Sequence, residues 1–263
     1  MEETIASADA KFGEREGLSK NASASVEDMA EKAGIVIEKV SKDELPSYAS
    51  RLAAIVSHHM SLGMSTYFTH PYTLSSALRI FTSLSNVIID PDPTTCPPSF
   101  PPPLGGVILF VAKLVDRASA LDSIDMEGNP TRHPEVVGSV QLAFASMPNG
   151  AFRSEVRKML VDVRYGGRGI GKILLRTLED EARKWGSTVC MLDTEQHSFG
   201  ERLYRSCGWT ELGVLPRFHW PPDKSEKRNT VYFYKHLDEG DGAEETKKTN
   251  GDGNGKTITE TSS

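Results

Sequence analysis

Cysteine is scarce: the 263 residues hold three, Cys96, Cys190 and Cys207. That is too few for a disulfide-dense secreted scaffold, and their spacing fits no metal-ligand pattern. Long apolar runs are missing as well. No window offers the ~18 uninterrupted apolar residues that a membrane-spanning helix requires. The opening Met1-Glu2-Glu3-Thr4 is acidic and lacks the apolar stretch of a secretory signal. A basic excess is also lacking: 30 Lys and Arg face 36 Asp and Glu, a formal charge of −6. That balance argues against a general nucleic-acid binder. The expectation is a reduced, cytoplasmic protein with no metal, membrane or nucleic-acid partner.

What is present is enough chain, 38% of it hydrophobic, to bury a substantial core. The charge is uneven. Residues 238–263 carry seven acids against three bases, and their only apolar side chains are Ala243 and Ile258. Such a tail cannot offset the entropy of ordering itself and reads as disordered. Residues 1–33 are polar and rich in Ser, Ala and Glu, and read as an extension that is also disordered. One domain over residues 34–237 is the expectation.

Along that domain, residues 35–40 read as a first strand. Leu45, Tyr48, Leu52, Ile55, Val56 and His59 share one helical face, and Gly63 ends that helix. Leu74, Ala77, Leu78, Phe81 and Leu84 mark another. Proline crowds the next segment at Pro91, Pro93, Pro97, Pro98, Pro101, Pro102 and Pro103, which excludes helix and central strand and makes residues 90–105 a loop insertion. Residues 107–112 and 136–144 read as buried strands, separated by a second polar insertion over 116–134. Residues 155–163 form a strand that feeds the glycine-rich turn Gly166-Gly167-Arg168-Gly169-Ile170-Gly171-Lys172. Ile173, Leu174, Leu178, Ala182 and Trp185 then give a helical stripe. A strand over 188–193, a short helix with Phe199, Leu203 and Tyr204, and strands over 211–215 and 230–236 complete the domain.

A strand, a glycine turn and a helix in that order make an anion site. The first N–H groups of a helix have no partner within it, the helix dipole puts partial positive charge there, and glycine lets a diphosphate approach the backbone. A dinucleotide fingerprint needs G-x-G-x-x-G, whereas Gly167, Gly169 and Gly171 read G-x-G-x-G. A P-loop needs a hydroxyl after its lysine, and Ile173 stands there. Asp193, after four apolar residues, is the one carboxylate placed to serve that nucleotide reading.

The turn, its helix, the following strand and the helix ending Leu203-Tyr204-Arg205-Ser206-Cys207-Gly208-Trp209 together resemble the GNAT superfamily of N-acetyltransferases. That superfamily carries a Gln/Arg-x-x-Gly-x-Gly/Ala turn for the coenzyme A pyrophosphate; Gly166 stands in the first position here. Residues 153–158, Leu192-Asp193-Thr194-Glu195, Tyr204, Val214-Leu215-Pro216 and the closing strand 231–235 are similar, in order, to tabtoxin-resistance acetyltransferases. The resemblance covers residues 153–237 well and 34–149 loosely.

It implies an α/β GNAT fold, a mixed, mostly antiparallel sheet with helices on both faces. It implies transfer of acetyl from acetyl-CoA to the amine of a small soluble acceptor, a toxin or amino-acid-like compound, by a monomer or homodimer. A non-catalytic acyl-CoA-binding protein of the same fold, or a P-loop nucleotide hydrolase, are the alternatives. The implied cofactor contacts are Leu160, Val161, Val163, Gly167, Arg168, Gly169, Ile170, Gly171, Lys172 and Ser198, the strand-end N–H groups also holding the oxyanion. The implied catalytic residues are Glu155 and Asp193 as bases and Tyr204 as the acid that protonates the departing thiolate. Plainer accounts exist for each: Glu155 paired with a neighbouring arginine, Asp193 capping the next helix, Tyr204 as core. Glu195 is a lesser rival as base, and His197 a solvated residue at a helix start.

Overall fold

The structure is a computed structural model that describes residues 24–64, 68–89, 101–116, 118, 123–125 and 127–238. The acidic tail from residue 239, residues 1–23 and the proline-dense stretch 90–100 lie outside the described residues.

Helix α1 (Val26–Ala33) opens with a capping box, Ser25 and Asp28 each accepting from the other's N–H, and closes on Gly34 in the left-handed conformation. The sequence reading placed these residues in a disordered extension. They form a helix because both end signals are present and Val26, Met29, Ala30 and Ala33 pack against the core. Then follow β1 (Ile35–Lys39), α2 (Leu45–Ser61) and α3 (Leu74–Leu84), the last started by a Thr73/Ser76 capping box. The remaining elements are β2 (Val107–Leu114), β3 (Val136–Phe144), β4 (Arg153–Val161), α4 (Ile170–Lys184), β5 (Val189–Glu195), α5 (Phe199–Ser206), β6 (Thr210–His219) and β7 (Arg228–His236).

Seven strands form one sheet in the order β1-β2-β3-β4-β5-β7-β6. Every neighbouring pair is antiparallel except β4 and β5, which are parallel. All nine residues of β3 are buried, as a central strand covered on both faces demands. Alternation sends Ile108, Phe110, Leu142, Phe144, Val156, Cys190, Leu192 and Phe233 to the face under α1, α4 and α5. Leu109, Val111 and Val136 go to the face under α2 and α3.

Three boundaries differ from the sequence reading. Strand β4 starts at Arg153 and stops at Val161, because Asp162 caps a short 3-10 helix, Val163–Tyr165. Helix α4 begins at Ile170. Strand β6 runs on to His219, whose Nδ1 lies 2.8 Å from Thr230 Oγ1, so the expected 216–229 loop is short.

Asp162 fixes α2 to the end of β4. Arg51 and Asp162 are both almost fully buried, with Arg51 Nη2 donating to Asp162 Oδ2 at 2.6 Å and Arg51 Nε to the Val136 carbonyl at 2.8 Å. Arg164 donates from Nη2 to Oδ2 at 2.6 Å. Burial opposes ionisation of Asp162, but the hydrogen bonds from Arg164 and Arg51 prevail and hold its carboxyl well below the usual range. Removing a buried charge partner leaves the other charge uncompensated, so Asp162→Asn is expected to lower unfolding free energy by about 3–5 kcal/mol. Urea denaturation checks this. With its folded-state pKa depressed, Asp162 stabilises the wild type fully above pH ~4, and the gap from the variant narrows as pH falls below that.

Candidate active site

The parallel pairing of β4 with β5 is short: Arg153 opposes Val189, Ser154 opposes Cys190 and Glu155 opposes Met191, and there it stops. Beyond Glu155 the β5-facing edge of β4 has no strand partner among the described residues. A bulge accompanies the parting. Gln141 of β3 opposes Arg157, but Ser139 opposes Leu160, so β4 carries one extra residue. Lys158 sits in the bulge at φ 49. The phase of the strand changes there: Glu155 and Arg157 face the α2–α3 side, and after the extra residue Leu160 still packs on that side, while Met159 and Val161 pack on the other.

The glycine turn lies at the far end of β4. Gly167 and Gly169 hold φ of 76° and 81°, backbone that other residues avoid, and Gly169 is the N-cap of α4 with no side chain capping it. The N–H of Ile173 is the first to reach back, to the Gly169 carbonyl. A Cβ built at Gly167 or Gly169 meets nothing within 4 Å, so the turn faces open space. One built on Gly171 would press on Leu203 at 3.0 Å and lie 3.8 Å from Val161, which shows β4, α4 and α5 converging at this mouth. Uncapped N–H groups, the positive end of the dipole, and open room fit a diphosphate. The Arg168 guanidinium lies 5.0 Å from the centre of the Tyr165 ring, and Lys172 is in the first turn of α4.

At the other end, a cleft of about 620 Å³ opens on the α2–α3 side, lined among others by Ala143, Met147, Glu155, Arg157, Asp193 and Tyr232. The two carboxylates singled out in the sequence therefore share one cleft. Their settings differ. Glu155 is half-exposed and paired with Arg157 Nη2 at 2.6 Å, the plainer account anticipated for it. Asp193 is not a helix cap, since Ser198 caps α5 by accepting from the Glu201 N–H. Burial, and then the nearby Glu155 charge, raise the Asp193 carboxyl above its ordinary value.

Tyr204 lies on the opposite face. It is buried, with ring centres 6.1 Å from Phe233 and 6.2 Å from Trp209, and its ring edge passes beside Gly200, next to Thr194. Ser198, expected among the cofactor contacts, also lies 3.1 Å from Thr194 Oγ1. Of the strand-end residues, Val161 has its carbonyl taken by His59 Nε2 at 2.8 Å, and Val163 opens the 3-10 helix. Glu195 is held by Arg228 at 2.8 Å and His219 at 3.3 Å. His197 stands at φ 65 just before α5 and donates its N–H to the Glu201 carboxylate. Ile173 is buried in the core, so no hydroxyl meets the demand of the nucleotide alternative.

Sequence reading missed Lys158 and Tyr232. Tyr232 opposes Asp193 across the β5–β7 ladder and is legible once that register is known. Lys158 carries no local signal, because a bulge is set by the neighbouring strand.

Comparison with known proteins bears on the fold. Residues 127–209 match the model of the Acetyltransferase (GNAT) family. Over 68 residues the chain is 40% identical to the N-alpha-acetyltransferase RimI of Mycobacterium tuberculosis, a match that takes in 26% of this chain and 42% of that protein. The chain thus spans less than half the length of that curated relative. The structure of yncA from Salmonella typhimurium with its cofactor acetyl-CoA superposes with a TM-score of 0.52 at 17% identity, over 81% of this chain and 99% of that one. An N-acetyltransferase from Staphylococcus aureus Mu50 superposes at 0.51 and 16% identity, over 77% and 98%.

Two measurements follow from the cleft. The Asp193 carboxyl is expected to titrate above the free-aspartate range of about 4 in a carboxylate-resolved NMR titration. Glu155→Gln, by removing a like charge, is expected to move that midpoint down. The chain has the fold of the GNAT acetyltransferases, and residues 127–209, with the parting strands and the glycine turn, carry the family's match.

Proposed function

We propose that this protein is an acetyl-CoA-dependent N-acetyltransferase acting on a small soluble amine. The observation that carries the reading is a single open edge of β4 with a diphosphate-shaped turn at one end and a two-carboxylate cleft at the other. In this reading the N–H groups of Gly167, Gly169, Ile170, Gly171 and Lys172, with the Arg168 and Lys172 charges, hold the pyrophosphate. Leu160, Val161, Val163 and Ser198 line the path of the arm. When bound, acetyl-CoA supplies an acyl thioester, open to attack by an amine.

The amine arrives protonated (pKa about 10 if lysine-like), so a base has to take its proton. Asp193 is the better candidate of the two carboxylates. Its raised pKa makes it the stronger base, while Glu155 is engaged by Arg157 and acts through its charge on Asp193. Backbone donors on the stretch of β4 past its pairing with β5 stabilise charge on the acyl oxygen, and Tyr204 returns a proton to the thiolate. The cleft volume suits a small acceptor, and the likeness to tabtoxin-resistance acetyltransferases favours an amino-acid-like or toxin amine. RimI, by its name, acts on α-amines, which supports an amine acceptor without choosing its size.

The test is calorimetric titration with acetyl-CoA followed by an amine screen. Micromolar one-to-one binding and coenzyme A release with an amine support the reading. Asp193→Asn and Tyr204→Phe are expected to reduce kcat by about a hundredfold while leaving acetyl-CoA affinity unchanged. Wild-type turnover in both variants would return Asp193 and Tyr204 to structural roles. Because the base works ionised, kcat is expected to rise with pH through the elevated Asp193 pKa. Gly167→Asp puts a carboxylate at the turn, in a conformation aspartate tolerates, and is expected to weaken acetyl-CoA binding about tenfold or more. Binding without any turnover would favour the acyl-CoA-binding alternative, which the Glu155–Arg157 ion pair also suits.

A further inference from the structure

Lys158 has no part in the chemistry above, yet its setting is built by the fold. In an unbroken strand it would point away from Arg157, into the core beneath α4. The bulge turns it back to the face of Glu155 and Arg157. There its Nζ lies 5.0 Å from the centre of the Phe68 ring and within the electrostatic reach of Asp193 on β5 and Glu155 on its own strand. Burial first, and Arg157 alongside, draw the ammonium down to about 8, so roughly a tenth of it is neutral amine near pH 7, far more than for an ordinary lysine. A desolvated neutral lysine is a nucleophile.

Its place along the strand matters equally. Glu155 is the last β4 residue paired with β5. Lys158 therefore stands on the open stretch that leads from that pairing to the glycine turn, three residues or about 10 Å of chain short of Val161. A thioester anchored by its diphosphate at the turn has to lie along this stretch to bring its acyl end to the Asp193 cleft.

We propose that Lys158 is a self-acetylation site, its Nζ attacking the thioester carbonyl carbon of bound acetyl-CoA when no acceptor amine occupies the cleft. The N–C bond forms and the C–S bond breaks with its electron pair passing to sulfur. The proton lost from Nζ goes to the thiolate, and the products are coenzyme A and an acetamide on Lys158. The acetamide is uncharged and bulkier. It removes a cation from beside Asp193 and Glu155, so it acts as a brake that engages when acceptor is scarce. This inference rests on the acetyl-CoA reading of the site.

The experiment incubates the full chain with acetyl-CoA and no acceptor, then measures intact mass and maps acetylated peptides, with titration of acetyl-CoA on the same sample. One added acetyl group, mapped to Lys158 and appearing about tenfold or more faster than on any other lysine, supports the proposal. Excess coenzyme A should suppress it, and Lys158→Arg should abolish it. Acetyl-CoA binding with no acetyl on Lys158, or labelling spread evenly over the lysines, overturns the proposal and leaves the proposed function standing. Absence of acetyl-CoA binding removes both. Because the mapping is done on the wild-type chain, a poorly folding variant does not blunt the test.

Discussion

Two adjacent parallel strands that pair for three residues and then part govern the rest of the architecture. Strands in a sheet normally stay together, because a buried N–H or carbonyl without a partner costs about 1–3 kcal/mol. Here the parting is enforced from both sides. The bulge at Lys158 shifts the phase of β4 against β3, and β5 stays aligned with β7 over all seven of its residues. Leu203 and Val161 both lie beside Gly171 where the strands have separated. An edge of β4 with no strand partner among the described residues, flanked by helices, is the result.

Helix α4 holds this wedge in place. Its buried carboxylates reach out to both halves of the sheet. Glu181 accepts from Lys39 Nζ at 2.6 Å and from Trp185 Nε1 at 3.0 Å. Glu179 accepts from Trp209 Nε1 at 2.8 Å and from Lys235 Nζ at 2.9 Å. Strands β1 and β7, on opposite sides of the gap, are thus tied to one rigid helix whose N-terminus is left without a cap. Stability is concentrated in the body of the helix, and the binding capacity is left at its end.

Two aspartates show how partners decide whether burial prevails. Asp162 is buried between Arg51 and Arg164 and stays ionised well below the usual range. It ties α2 to β4. Asp193 is partly buried with no cation bonded to it in the same way among the described residues, and burial first, then the Glu155 anion, raise its pKa. The same side chain is therefore a fixed charge in one place and a candidate base in the other.

Much of this was legible in the sequence, because its causes are local. Periodicity placed the helices and strands, glycine spacing placed the anion turn, and the order of strand, turn, helix and strand pointed to the fold. The elements that resisted are those whose cause lies in another strand. The reach of β6 to His219 depends on Thr230, eleven residues on in sequence and in the neighbouring strand β7. The helix at 26–33 has its own caps yet needs the face of α4 to pack against. The site divides in the same way. Glu155, Asp193 and Tyr204 stand out as residue types in a motif. That the two carboxylates share a cleft, that an arginine two residues on neutralises one of them, and that Tyr204 lies across the sheet follow from strand register and the alternation of side chains. Lys158 marks the limit: the sequence determines a lysine in a strand, but a bulge is a mismatch between two strands, and only the assembled sheet decides which way its side chain points.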